Sequence, residues 1–351
     1  MGRTGVRRAV VGVAAVVALA GCSGQDASPS ATSTTPAPSV LLTDLEVPWD
    51  VAFLPDHTAL MTLRDKAQVL HVSADGRTTT SLGRVPGVVP DGEGGLLGVA
   101  PSPAYATDHT VFLYLTAATD NRVVRAVVTG DRLGPATVVF SGIAKAGFHN
   151  GGRIAFGPDG FLYVGTGDAG EQPRAQDKGS VNGKILRLTA DGAPAPGNPF
   201  GNAVWSYGHR NVQGLAWAPD GTMYASEFGQ NTWDELNRIQ PGKDYGWPVV
   251  EGKAGRAGFV DPVAQWKTSD ASPSGIAYAR GSVWMAALRG ESLWQVPVDS
   301  VGDPVRHLKG TYGRLRDVNL APDGTLWLLT SNTFRGTPGD DDDRLVSVPL
   351  P

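Results

Sequence analysis

The residues best suited to chemistry fall in four short clusters. The first is Gly147-Phe148-His149-Asn150-Gly151-Gly152-Arg153, where a histidine and an arginine stand among glycines. Histidine exchanges a proton near neutral pH, and glycine lets backbone come close to a ligand. The second is Tyr207-Gly208-His209-Arg210-Asn211-Val212-Gln213-Gly214. The third is Glu227-Phe228-Gly229-Gln230, continuing to Asp234-Glu235 and Tyr245-Gly246-Trp247-Pro248. The last is Arg314-Leu315-Arg316-Asp317. A planar guanidinium holds a carboxylate through two hydrogen bonds, so arginines brought together imply an anionic partner. Glu227, Asp234 and Glu235, with nearby carbonyls, offer oxygen ligands to a hard cation such as calcium, although their spacing is not that of an EF-hand loop. His209 has two readings, proton exchange or the orienting of its neighbours. The Asp340–Asp343 run reads as a solvated loop, with a cation site as the alternative.

These clusters need a scaffold, and a repeated phrase supplies it. Val51-Ala-Phe-Leu-Pro55-Asp56 leads to Ala59-Leu60-Met61-Thr62, and Ile154-Ala-Phe-Gly-Pro158-Asp159-Gly160 leads to Leu162-Tyr163-Val164. Leu215 to Gly221 and Val318 to Gly324 repeat it, and weaker copies begin at Leu97 and Ile276. Apolar alternation on both sides of a Pro-Asp-Gly turn is a strand, a tight turn and a second strand. Six units at intervals of roughly 40–60 residues fit four-stranded blades around an axis. The expected fold is all-β, a six-bladed β-propeller with four-stranded antiparallel blades. In such a fold the clusters, which lie just outside the repeated phrase, converge on one end of the axis.

Composition agrees. The chain has 351 residues, 46 of them glycine, and only 18% are charged, which suits tight turns and extended strands. A net charge of -4 offers no basic field for nucleic acid. At the N-terminus, Arg3, Arg7 and Arg8 precede the apolar run Ala9 to Ala20, too short to span a bilayer but suited to a signal peptide. Leu19-Ala20-Gly21-Cys22 resembles the bacterial lipobox, which implies lipid attachment at Cys22, the only cysteine. Residues 1–22 are therefore expected to be a lipoprotein signal. Residues 23–39, rich in Ser, Thr, Ala and Pro, read as a disordered tether. Residues 40–351 form the propeller domain, held outside the cytoplasm on the cell membrane.

The clusters together resemble the soluble PQQ-dependent aldose (glucose/sorbosone-type) sugar dehydrogenases. The marks run in order: Glu93-Gly-Gly-Leu-Leu-Gly98, His149-Asn-Gly-Gly-Arg153, Gly165-Thr-Gly-Asp168, Gly208-His-Arg-Asn-Val-Gln-Gly214, Asp234-Glu235, Tyr245-Gly-Trp-Pro248, Ala287-Leu-Arg-Gly290 and Gly313-Arg-Leu-Arg-Asp317. The resemblance implies hydride transfer from C1 of an aldose to PQQ, giving a lactone, with electrons passed to an acceptor the sequence does not name. It makes His149 the general base and Arg210 the group beside the reactive quinone carbonyl. Asn211, Gln213, Arg289, Arg314 and Arg316 match cofactor-holding positions, and Glu93 stands where some relatives have glutamine at the substrate or cofactor. The Gly229 and Gln230 carbonyls match a calcium loop, with Glu227, Asp234, Glu235 and Tyr245 near further calcium positions. Some relatives are dimers, so the resemblance leaves a monomer or a homodimer as the expectation. A calcium-dependent lactonase and a non-catalytic sugar- or partner-binding propeller are the competing readings. One departure is Phe148, where some relatives carry an aspartate before the base; it leaves the partner that orients His149 open.

Overall fold

A computed structural model describes residues 37–350, together with the isolated positions 2, 9 and 12. Cys22, the targeting segment apart from those three positions, and the tether up to residue 36 lie outside the described residues. Six antiparallel sheets make up the domain, and each copy of the apolar phrase is the first strand of one of them. These first strands are Pro48–Phe53, Leu96–Pro101, Ile154–Phe156, Val212–Trp217, Pro273–Ala279 and Leu315–Leu320, which define blades 1 to 6. The second strands are Ala59–Leu63, Thr110–Thr116, Leu162–Gly165, Met223–Glu227, Ser282–Ala287 and Leu326–Thr330. Blade 2 adds a two-residue strand, Arg132–Leu133, on its third strand, Asn121–Thr129.

The repeated turn has a local cause. Asp56, Asp159, Asp220 and Asp323 each accept a hydrogen bond from the backbone N–H two residues on, at 3.1, 3.3, 2.8 and 2.9 Å. The next residue takes a left-handed φ, 78°, 84° and 84° at Gly160, Gly221 and Gly324 and 71° at His57. An aspartate closing on its own backbone, followed by a residue free to adopt positive φ, turns the chain sharply into the second strand.

Six buried apolar clusters fill the spaces between consecutive blades. Trp327, Met61 and Leu345 lie between blades 6 and 1, and Leu60, Leu113 and Val124 between 1 and 2. Phe112, Ile154 and Leu186 join blades 2 and 3, and Ile185, Val212 and Tyr245 join 3 and 4. Leu236 and Met285 lie between 4 and 5, Trp284 and Leu328 between 5 and 6. Each sheet is therefore covered on both faces by its neighbours, which is why no blade reads as half-polar. The ring closes through the N-terminus: Ser39–Leu42 is the fourth strand of blade 6, pairing Ser39 with Ser347 and Val40 with Val346.

Arg153 sits at the centre, not at the end of the axis with the other arginines. Its guanidinium pairs with Asp50 of blade 1 and with Asp317 of blade 6, the latter at 2.9 Å, and its Nε–H donates to the Gln213 carbonyl of blade 4 at 2.9 Å. Val99 N–H of blade 2 donates to Asp50 at 2.9 Å. In the Asp340–Asp343 segment, Asp340 and Asp341 are exposed as expected of a solvated loop, but its last residue is not. Asp343 is fully buried, accepting from Asn332 N–H, from the Thr333 hydroxyl and from the Thr330 hydroxyl at 3.1 Å. The chain reverses there to reach the third strand of blade 6, and its amides need an acceptor. No helix among the described residues is long and apolar enough to cross a membrane.

Candidate active site

In an antiparallel blade the start of the first strand and the end of the second lie at the same end. That topology builds one cavity of about 320 Å³ at one mouth of the axis. From the starts of first strands come Trp49, Glu93, His149, Asn211, Gln213, Ser272, Arg314 and Arg316. From just beyond second strands come Arg64, Phe228, Gly229, Gln230, Leu288, Arg289, Phe334 and Arg335. Six arginines therefore face two carboxylates, Glu93 and Asp234.

His149 is held on its ring and on its backbone. Nδ1 lies 2.7 Å from Oδ1 of Asp168, a buried carboxylate that also accepts Gly170 N–H at 2.8 Å and the Trp247 indole N–H at 2.8 Å. Burial alone would raise the Asp168 carboxyl, yet the hydrogen bonds from His149 and Gly170 hold it below its ordinary value. An ionised acceptor at Nδ1 fixes the proton there and leaves Nε2 as the basic nitrogen. Phe148, half-exposed, sets its ring edge-on to the imidazole at 4.6 Å and supplies no acceptor. The backbone of His149 has φ 57°, and Gly151 beside it, at 65°, lies so close to Gly165 and Thr166 that a side chain would not fit.

Arg210 follows a buried support. Its backbone N–H donates to Glu227, and its guanidinium lies 5.3 Å over the Trp247 ring with Nη1 donating to the Phe228 carbonyl at 3.3 Å. Burial pushes its basicity down. His209 belongs to the support. It is fully buried, bonded through Nδ1 to Glu227 and through Nε2 to Ser206, and stacked on Tyr245 at 4.7 Å. Of its two readings, the geometry matches the orienting one.

Deeper in the cavity, Gln213 Oε1 accepts from Arg316 Nη1 at 2.8 Å, and Asn211 Oδ1 accepts Gly151 N–H at 2.9 Å. Burial, then Arg64 and Arg314 nearby, push Arg316 down to about 9. The Nε–H groups of Arg210, Arg314 and Arg316 are buried without a hydrogen-bond partner. Arg289 is exposed on the lining.

The residues considered for calcium divide. Gly229, Gln230 and Asp234 line the cavity, whereas Glu227, Glu235 and Tyr245 stand outside its lining. Glu235 accepts Gly252 N–H at 2.6 Å and is pushed up to about 8 by burial and by Glu227. The Tyr245 hydroxyl is spent on backbone, donating to the Arg238 carbonyl at 2.7 Å. Asp234 accepts Gly229 and Ser272 N–H and is pushed up to about 6 by burial. Oε1 of Glu251 accepts the N–H groups of residues 230, 231, 232 and 233, which shapes the loop. No hydrogen bond to the Gly229 or Gln230 carbonyl is present among the described residues. No group of three or more His, Cys, Asp or Glu side chains is arranged to hold a metal among them.

Sequence reasoning named Asp168 and Trp247 within motifs without giving either a role, and passed over Arg64 and Arg335. A signal existed for Arg64. Leu63-Arg64 ends the second strand of blade 1 much as Leu288-Arg289 ends that of blade 5. Trp247 and Asp168 come from blades whose pairing only the tertiary fold reveals.

Fold and site thus define a six-bladed propeller with an arginine-lined mouth and a carboxylate-held histidine. The profile of the Glucose / Sorbosone dehydrogenase family matches residues 45–336, and the chain belongs to that family. It is 34% identical over 84% of its length to the aldose sugar dehydrogenase YliI of Escherichia coli, covering 90% of that protein. Among solved structures it is similar to the PQQ-bound form of an aldose sugar dehydrogenase from Streptomyces coelicolor, at 55% identity. The match has a TM-score of 0.85 and covers 90% of this chain and 99% of the other. A glucose dehydrogenase-like oxidoreductase from Thermus thermophilus is 39% identical with TM-score 0.83, over 89% of this chain and 99% of that one.

Proposed function

We propose that this protein is a quinoprotein that oxidises the C1 hydroxyl of aldoses to lactones, with PQQ as the resident cofactor. The observation that carries the reading is the set of three buried, unpartnered guanidinium Nε–H donors in a cavity shared with His149. PQQ bears three carboxylates, and a buried donor without an acceptor is unfavourable until an anion supplies one. Arg210, Arg289, Arg314, Arg316, Asn211 and Gln213 would hold it, with Arg64 adding positive charge. When bound, it supplies the two-electron acceptor for the C1 hydride, chemistry no side chain here provides.

The protein's own part is positioning and proton transfer. His149 Nε2 takes the proton of the C1 hydroxyl, while Asp168 stabilises the imidazolium through Nδ1–H. Arg210, braced on Trp247, offers positive charge to the oxygen on which negative charge develops. Calcium is part of the same proposal. The free carbonyls of Gly229 and Gln230 are hard oxygen donors on the cavity wall, suited to a cation between loop and cofactor. A lactonase centred on carboxylate ligands fits less well, because both carboxylates of the lining are already bonded, Glu93 to Arg335 and Asp234 to two amides.

The lipobox extends the proposal to location, with the enzyme outside the cytoplasm and tethered at Cys22. A Cys22→Ala variant should leave the membrane fraction. Activity is tested by adding PQQ and calcium to purified apoprotein and following aldose-dependent dye reduction. Turnover that needs PQQ supports the reading; no turnover on any aldose, or lactone hydrolysis without a quinone, overturns it.

A further inference from the structure

Two loops meet at the rim beside the base, and a third reaches them from across the mouth. Glu93 N–H donates to the Gly147 carbonyl at 3.0 Å, and His149 N–H donates back to Glu93 Oε2 at 3.1 Å. Gly92, with φ 56°, lies against the Gly147 backbone so closely that a side chain there would not fit. The backbones of the two loops are therefore docked before any side chain acts. The direction of the Glu93 carboxylate is set from elsewhere: Arg335 Nη1 lies 2.6 Å from its Oε1. Arg335 belongs to the loop after the second strand of blade 6, and Phe334 beside it packs against Arg64 at 3.7 Å. Both ends of this chain of contacts, His149 at φ 57° and Arg335 at φ 59°, are non-glycine residues in left-handed backbone. Such a conformation persists only where surroundings hold it.

We infer that Arg335 and Glu93 form a clasp across the cavity mouth that holds the backbone of His149, making both of them positioning residues for the base. The inference rests on the reading of His149 as the base. It assigns Arg335 a task distinct from that of the other arginines. A carboxylate facing a cavity rich in arginine would otherwise be drawn toward Arg64, Arg314 and Arg316. Held by Arg335 on one oxygen, Glu93 keeps the other on the His149 amide. The imidazole is then fixed at two points, Asp168 on the ring and Glu93 on the backbone.

The test has an arm that needs neither cofactor nor activity. Hydrogen exchange at the His149 amide is measured in apoprotein for wild type, Arg335→Ala, Arg335→Lys, Glu93→Gln and the Arg335→Ala, Glu93→Gln double variant. Arg335 is exposed, so its variants are expected to fold, and unchanged melting curves check this. The clasp requires exchange about tenfold faster in Arg335→Ala, substantial recovery in Arg335→Lys, and a double variant no faster than the faster single. In the reconstituted enzyme Arg335→Ala should lose kcat by about tenfold, with KM and PQQ affinity held, and Arg335→Lys should recover most of that loss. Unchanged exchange at His149 in Arg335→Ala overturns the inference, as does lost PQQ affinity with exchange intact, which would make Arg335 a cofactor ligand. Additive effects in the double variant overturn it as well. If wild type oxidises no aldose, the reading of His149 as base fails, while the exchange arm still decides whether the clasp exists.

Discussion

At the scale of residues, the site turns on which group faces His149. The question raised by Phe148 is answered by Asp168, nineteen residues further on, three residues beyond the end of the same blade's second strand. The two are near in sequence, but the link was not legible because a hydrogen bond across a glycine-rich turn leaves no periodic trace. The arginines were legible, since Arg210, Arg314 and Arg316 stand in short polar clusters within five residues of the repeated apolar phrase. Asp168→Asn should lower kcat by about 10²–10⁴-fold, because an amide can hold the wrong imidazole tautomer and cannot stabilise the imidazolium. PQQ affinity, set by the arginines, should be unchanged. Steady-state kinetics beside a cofactor titration check the pair of outcomes, and equal loss of both would mean that Asp168 supports the cavity as a whole.

At the scale of elements, the loops carry the site and local staples hold them. Lys184, fully buried at the start of blade 3's third strand, donates through Nζ to the carbonyls of Arg174, Ala175 and Asn182 at 2.6, 2.9 and 2.8 Å. It pins the short 3₁₀ turn Gln172–Ala175, from which the chain continues to Gln176, whose side chain donates to the Trp247 carbonyl. Burial pushes the Lys184 ammonium down to about 7 from its ordinary 10.5. The unfolded chain therefore binds this proton more tightly than the folded one. Lys184's contribution to stability is fully present above 10.5 and is lost as pH falls through about 7. Against Lys184→Met, the wild-type advantage in melting temperature should be larger at pH 10 than at pH 6. A gap that widens toward low pH would contradict this. The blades themselves were readable from sequence because their turns are local: each Pro-Asp phrase carries its own closing hydrogen bond. The closing strand was not, since Ser39–Leu42 has no such turn and pairs with residues at the far end of the chain.

At the scale of the whole molecule, six blades are drawn to one guanidinium and one anion-seeking mouth. Arg153 bonds to blades 1, 4 and 6, Asp50 brings in blade 2, and Gly275 of blade 5 lies against Asp317 with no room for a side chain. Removing one partner of a buried ion pair strands the other's charge, so Arg153→Met should destabilise the domain by about 3–5 kcal/mol. Chemical denaturation measures this, and a loss below about 1 kcal/mol would mean the two aspartates are neutral without it. The mouth has the opposite need, an anion in place of one more cation. Saturating PQQ at about 100 times its Kd should stabilise the fold by about 2.7 kcal/mol, a rise of about 5 °C in melting temperature. The most direct measurement of the central claim is an anaerobic absorbance titration of apoprotein with PQQ, followed by aldose, in wild type and His149→Ala. Both proteins should bind one PQQ per chain with similar affinity, and aldose should then change the cofactor's spectrum quickly in wild type and far more slowly in the variant. No saturable binding, or equal rates in the two proteins, would contradict the account.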